Sequence, residues 1–391
     1  MTDADLLRRG AAALIPELVE LRHSLHRIPE THNQERETAA FIRRTLQGTG
    51  IEILPPLMET DTVGLLRGAS PGRCILLRSD IDALPVTDTS GTAWHSERPG
   101  RSHACGHDGH MAILLGAARL LAGLRDRIKG SVRFVFQPAE EEARGGKVLV
   151  DKGLFELAPR AEAAYALHGW PGVPEGTVAC GPGPAMAAAD TFRIIVHGHG
   201  GHAGMPHLTS DPVLAAAQIV SGLQSVVSRS TNPLSPAVLS ICRIEGGHAS
   251  NVIPDVVELE GTTRYFDRHL ETAMRDHMRL IVDGITAGAG CTAELLYEEG
   301  YIPLVNDPGA VEAVRATVTR TLGAAAWVSD HPPSMGAEDF AFYLEKVPGA
   351  LLRLGLGETW PALHSAGFDF NDRAIETGVV ALAGLALDFC S

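Results

Sequence analysis

His103-Ala-Cys-Gly-His-Asp-Gly-His110, followed at once by the apolar run 111–121, is the stretch on which the reading of this chain turns. Eight residues carry a thiol, three imidazoles and a carboxylate. Only Gly106 separates Cys105 from His107, and a glycine lets the backbone turn sharply enough for both side chains to reach one centre. The run that follows is built from Ala, Leu, Ile and Gly with almost no charge, so it reads as a buried helix. The cluster is then expected on the loop that feeds the helix N-terminus. Taken alone, the segment reads equally well as a His-rich surface loop beside a buried Cys. Matching groups elsewhere in the chain favour the first reading.

Those groups follow apolar strands. Cys74-Ile-Leu-Leu-Arg78 is the run expected of a strand buried on both faces, and it leads into Ser79-Asp80-Ile81-Asp82. Val132-Arg-Phe-Val-Phe136 leads into Gln137-Pro-Ala-Glu140-Glu141-Glu142. The run 163–167 leads directly to His168, and 351–356 runs towards His364. In open α/β sheets, sites form beyond the carboxyl ends of the strands. Asp80, Cys105, His107, Glu140, Glu141, His168 and His364 could therefore converge on one edge of one sheet. Singly, each has an ordinary structural role open to it: turn or cap for Asp80 and Asp82, helix start for 140–142, packed histidine for His168 and His364. Together at strand ends, coincidence is the weaker account. Residues 4–26, with leucines at helical spacing and Pro16 as a candidate kink or break, and residues 35–47, ending at Gly48, read as helices covering the sheet.

The texture changes over 188–300. A strand at 191–196 precedes His197-Gly-His-Gly-Gly-His-Ala203. A helix with Asp211 as N-cap and Pro212 first runs to about residue 228. Alternating strands at 237–243 and 256–265, a helix at 268–287 and a strand at 291–297 follow. Strand, helix, strand, strand, helix, strand is a split βαβ, ferredoxin-like unit. The expected organisation is a catalytic domain in two parts, 1–187 and 301–391, with an inserted α+β domain at 188–300.

Composition narrows the function. The chain has 391 residues and a formal net charge of −14, which argues against a nucleic-acid groove and a membrane surface. No apolar run is long enough to span a bilayer. The acidic N-terminus leads into an amphipathic helix rather than a signal peptide, and six scattered cysteines without a CxxC pair suit free thiols, so a cytoplasmic protein is expected. A serine hydrolase is disfavoured, since no Gly-x-Ser-x-Gly elbow occurs.

Seven motifs in order then identify a resemblance. They are Leu77-Arg-Ser-Asp-Ile-Asp-Ala-Leu-Pro85, His103-Ala-Cys-Gly-His-Asp108, Gln137-Pro-Ala-Glu-Glu141, Gly200-Gly-His-Ala203 with Pro206-His207, Asn251-Val-Ile-Pro-Asp255, Met335-Gly-Ala-Glu-Asp-Phe340, and Leu363-His-Ser365 leading to Asp369-Phe-Asn-Asp372. Over nearly its whole length the chain resembles the M20 metallopeptidase family. Within it, the chain resembles the amidohydrolase branch that includes hippurate hydrolases, N-acyl-amino-acid amidohydrolases and auxin-conjugate hydrolases. The resemblance implies a zinc-peptidase-like α/β/α catalytic domain with an inserted lid that also mediates a homodimer. It implies two divalent metal ions per subunit: Cys105 as the shared ligand, His107 and His168 completing one site, Glu141 and His364 the other. Glu140 would be the general base, and His202 a lid histidine that reaches a substrate held by the partner subunit. Asn251 and Arg264 would hold the substrate carboxylate or carbonyl, and Asp80 would orient a ligand histidine.

A bridging thiolate favours zinc, cobalt or nickel over magnesium without excluding manganese. The implied reaction is hydrolysis of the amide of an N-acyl amino acid. N-acetyl-diaminopimelate or an auxin conjugate are alternative substrates, and a non-catalytic metal-binding dimer is the alternative of another class. Three departures from the branch pattern bear on substrate preference: His199 where Lys is usual, Glu142 where Gly is common, and Ala366 where Pro is usual.

Overall fold

The computed structural model describes residues 2–329 and 331–391. They form two compact units. Among the described residues, the first holds 2–185, 305–329, 331–332 and 339–391; the second holds 186–304 and 333–338.

The first unit is α/β. Its mixed sheet runs in the order Glu52–Ile53, Thr62–Arg67, Lys129–Gln137, Ser70–Asp80, Ala163–Pro171, Gly349–Gly357, Val178–Ala179, Trp327–Val328. The four central strands, Lys129–Gln137 through Gly349–Gly357, are mutually parallel. They are the four that the apolar runs marked, and their inner residues are buried on both faces. Four helices, Asp3–Arg27, His107–Gly123, Pro308–Leu322 and Ile375–Phe389, pack against one another; His107–Gly123 and Ile375–Phe389 also reach the Ser70–Asp80 strand. Pro16 lies inside the first of these without dividing it.

Parallel strands put their carboxyl ends together, so the residues just past them become neighbours. Asp80 is the last residue of its strand, and Glu140 and Glu141 follow the strand that ends at Gln137. Two placements differ from expectation. His168 sits within the Ala163–Pro171 strand rather than beyond it, because pairing with Gly349–Gly357 continues past it, with Arg353 opposite His168. His107 opens the helix instead of standing on the loop before it. Gly106 caps that helix in the left-handed region at φ +86°, a conformation that favours glycine.

The second unit has the element order expected of a split βαβ. Its sheet is antiparallel, ordered Ala237–Glu245, Val256–Tyr265, Ala188–His197, Thr292–Tyr301. Burial alternates strictly along the two middle strands. One face packs on the helices Pro212–Ser225 and His269–Gly288, around Phe192, Ile194, Ile219, Leu259 and Met278. Asp211 caps the first helix, accepting from the backbone N–H groups of Val213 and Leu214. The last strand runs on to Tyr301, four residues beyond the sequence expectation. Near there, the Asp190 carboxylate accepts from the Tyr265 and Tyr297 hydroxyls and from the Gly300 backbone N–H.

Candidate metal centre

Each histidine of the cluster is set by what its other nitrogen touches. His107 Nδ1 donates to the Asp82 carbonyl at 2.8 Å, leaving Nε2 without a hydrogen-bond partner. His168 Nδ1 donates to the Gly169 carbonyl at 2.8 Å, again leaving Nε2. His110 differs: its Nδ1 bonds Asp80 Oδ1 at 2.7 Å, and its Nε2 accepts the Gly169 backbone N–H at 2.8 Å. Both ring nitrogens of His110 are committed, so His110 is a strut and not a ligand, although it lies close enough to Asp80 and His107 to form a candidate group with them.

Two groups of uncommitted donors share one atom. The ligand atoms of Cys105, His107 and His168 lie within 4.8 Å of one another, and so do those of Cys105, Glu141 and His364. Cys105 Sγ is 3.4 Å from His168 Nε2. Glu141 Oε1 is 3.4 Å from His364 Nε2 and 3.8 Å from His107 Nε2. His107 Nε2 and Glu141 Oε1 are both buried without a hydrogen-bond partner. A buried polar atom left unsatisfied is unfavourable by about 1–3 kcal/mol, more when charged. Two of them aimed at one space, beside a thiol, fit a divalent cation.

The electrostatics agree. Burial, helped by the charges of Glu141, Glu140 and Asp80, pushes the Cys105 thiol well above its usual range, so a nearby cation is needed to draw out the thiolate. Burial works against charge on His107, but Asp80, Asp82 and Glu141 outweigh it and raise His107 to about 10. Burial, then His110, keeps His168 far below its ordinary value and therefore neutral. Asp80 is held well below the carboxylate range despite its burial, by His107, His110 and Arg78.

Glu140 stands beside Glu141 with a different set of contacts. It is buried, and its Oε1 accepts the Asp339 backbone N–H at 3.4 Å. The turn carrying the pair is unusual: Ala139 has φ +59° and donates its N–H to the buried carboxyl of Glu35 at 2.9 Å. The Asp339 carboxylate is itself occupied by Arg78, Gln137 and the Gly146 backbone N–H. Glu35, Arg78, Gln137 and Asp339 were not singled out from sequence. Gln137 and Asp339 lie inside motifs that were quoted, and Arg78 is a charge at the end of an apolar strand, which was the available signal.

In the second unit, His202 and Asn251 stand together on a small ribbon in which Val252 pairs with His202 and the Ala203 N–H donates to the Asn251 carbonyl at 3.1 Å. His202 Nδ1 accepts the Gly204 N–H at 2.9 Å, so its proton is on Nε2 and points outward as a donor. Arg264 lies on the Val256–Tyr265 strand, half-buried, donating to the Thr263 carbonyl and the Thr262 hydroxyl. Of the residues that depart from the branch pattern, Glu142 pairs with His32 at 3.1 Å and the Ala366 carbonyl accepts the Thr89 N–H at 2.7 Å. His199 exchanges backbone hydrogen bonds with Ser210.

The chain matches Peptidase family M20/M25/M40 over residues 76–388. It belongs to that family. An N-acetylcysteine deacetylase of Bacillus subtilis (strain 168) is 40% identical over 373 residues, covering 95% of this chain and 96% of its own. An N-acyl-L-amino acid amidohydrolase of Geobacillus stearothermophilus is 40% identical over 291 residues, covering 74% of this chain and 78% of its own. Among solved structures, a Bacillus subtilis protein described as a dinuclear metal binding peptidase of the M20 family superposes with a TM-score of 0.85 at 36% identity, covering 97% of this chain and 99% of that one.

Proposed function

We propose that this M20 protein is a metal-dependent amidohydrolase that cleaves the amide of small N-acyl amino acids into a carboxylic acid and a free amino acid. The observation that supports it most is the pair of ligand sets that share Cys105, with Glu140 beside them, within 4.8 Å of ligand atoms of His107 and Glu141. Cys105, His107 and His168 would hold one divalent ion, and Cys105, Glu141 and His364 the other. Bound there, such ions activate water for attack and polarise the amide carbonyl. Zinc, cobalt, nickel and manganese are the ions suited to a mixed thiolate, imidazole and carboxylate set.

Glu140 takes the proton of the attacking water and passes it to the leaving amine. Its neighbour Glu141 would hold one of the ions, which is why two adjacent carboxylates are needed. His202, with its proton on Nε2, is the donor for the developing oxyanion. Arg264 and Asn251 hold the free carboxylate of the substrate, a match for a planar guanidinium. The assembly is a homodimer built through the second unit.

The test is a panel of N-acetyl and N-benzoyl amino acids, N-acetyl-diaminopimelate and an auxin conjugate, each run with apoprotein and with protein loaded with zinc, cobalt, nickel or manganese. Metal-dependent release of the amino acid from at least one is expected. Metal binding without hydrolysis of any would favour a non-catalytic metal-binding protein. Among the described residues no helix is long and apolar enough to cross a membrane.

A further inference from the structure

The first helix, Asp3–Arg27, carries charge on its buried face. Arg22 and His26 are fully buried, one turn apart, in the same stripe as Leu18 and Leu25. Arg22 Nη1 meets Asp369 at 2.6 Å and Asp108 at 3.3 Å, and its Nε meets Asp372 at 2.6 Å. His26 Nδ1 meets Asp108 at 2.8 Å. Asp108 directly follows the ligand His107, whereas Asp369 and Asp372 lie just after the ligand His364. One buried guanidinium therefore joins the two segments that carry the two ligand sets.

The segment around His364 needs such an anchor. His364 itself is 54% exposed and has φ +62°, a conformation a non-glycine residue adopts only when its surroundings impose it. Its own N–H is held by the Ala104 carbonyl at 2.8 Å, next to Cys105. Downstream, Asp369 accepts from Trp94 Nε1 at 3.2 Å as well as from Arg22. Phe370 lies flat against the helix start: a Cβ on Gly109 would fall 2.3 Å from its ring. The segment is thus fixed at both ends, by a backbone bond at Ala104 and by charge at Asp369, with His364 between.

We propose that Asp369, held by Arg22 and Trp94, is a positioning residue that sets His364 for the ion it would share with Cys105 and Glu141. This rests on the two-ion reading above. A carboxylate that can no longer pair with a buried guanidinium frees the segment, and the strained His364 conformation relaxes away from Glu141. Apart from the shared Cys105, the other ion's ligands sit on a strand and at a helix start, which Asp369 reaches only indirectly, through Arg22 and Asp108.

The experiment is a metal titration of the full chain with cobalt(II), counting bound ions per chain and following their absorption, for wild type, Asp369→Asn and the milder Trp94→Phe. Thermal melts show which variants are folded. Wild type is expected to bind two ions. Asp369→Asn is expected to keep the first with unchanged affinity and to bind the second about 10–100-fold more weakly, the range seen when a group supporting a ligand is removed. Trp94→Phe, which keeps the Arg22 pair, is expected to weaken the same ion by a smaller factor, and it carries the test if Asp369→Asn does not fold. Two ions bound with wild-type affinities in the folded variants, or both weakened equally, would overturn the inference. Fewer than two ions in wild type would instead overturn the two-ion reading on which it rests.

Discussion

In the first unit Arg22, Arg78 and Arg133 are fully buried, each held by carboxylates or backbone carbonyls. In the second, Arg193 and Arg243 stand on the open face of the sheet and pair with Glu258 and Glu260 in water. The two sets share chemistry and differ in consequence. A buried guanidinium cannot exchange its partner for solvent, so it dictates where the partner's segment goes. An exposed pair trades with water and contributes about 0–1 kcal/mol. Among the buried set, Arg78 stands near the carboxyl end of a parallel strand and Arg22 on the helix beside the segments that carry His107 and His364, while the ladder on the second sheet leaves that face wet.

The sharpest way to break the contrast is at Glu140. Glu140→Gln keeps the shape of the buried pair and removes the base. Turnover is expected to fall by about 10²–10⁴-fold with both ions retained, and near-normal turnover would remove Glu140 from the chemistry. Next in size is Arg22→Met. Three carboxylates lose their cation, and unfolding by urea should show a loss of about 3–5 kcal/mol. A loss as small as that of a surface arginine would place Arg22 with the exposed set.

His26 sharpens the contrast through pH. Burial disfavours its charged form, but Asp108 and Asp88 outweigh burial and the opposing charge of Arg22, raising it to about 9. The folded state then keeps a proton that the unfolded chain releases near 6.5. This contribution to stability is complete below about 6.5 and is lost as pH rises through about 9. The gap in Tm between wild type and His26→Gln should narrow over that window, and a constant gap would show that His26 is not charged in the fold. The smallest effect is expected at Arg243→Ala, on the open sheet face, where Tm should not change measurably. A clear drop there would mean the exposed ladder is structural after all.

Much of this was legible in the chain, for physical reasons that differ by element. The central strands announce themselves because parallel strands are buried on both faces and read as unbroken apolar runs. The second unit shows because its strands alternate and its helix begins with Asp211-Pro212. The short strands Val178–Ala179 and Trp327–Val328 leave no trace, since two residues cannot display a period. Thr62–Arg67, buried along most of its length, was passed over although its run is apolar.

At the site, the sequence proposed seven convergent residues, and the structure brings Cys105, His107, Glu141, His168 and His364 into two overlapping groups. The sequence favours Cys105 and His107 over His110 as ligands but does not show what His110 does instead, which is to brace Asp80. That role also depends on a backbone N–H of Gly169, far along the chain, which no local pattern encodes. Nor did it find Arg22 and His26, whose signal was present as charges falling in step with Leu18 and Leu25, a pattern easily read as the polar edge of an amphipathic helix. Asp369 lies inside a quoted motif, but the motif does not show its partner Arg22.

The central claim is that one thiolate serves both ions, and absorption of the cobalt(II)-loaded protein tests it directly. Wild type should bind two ions and show a sulfur-to-cobalt charge-transfer band. Cys105→Ser, still folded, should lose the band and bind neither ion at the concentrations that saturate wild type. A wild type without the band, or a Cys105→Ser chain that still holds two ions tightly, would contradict the account.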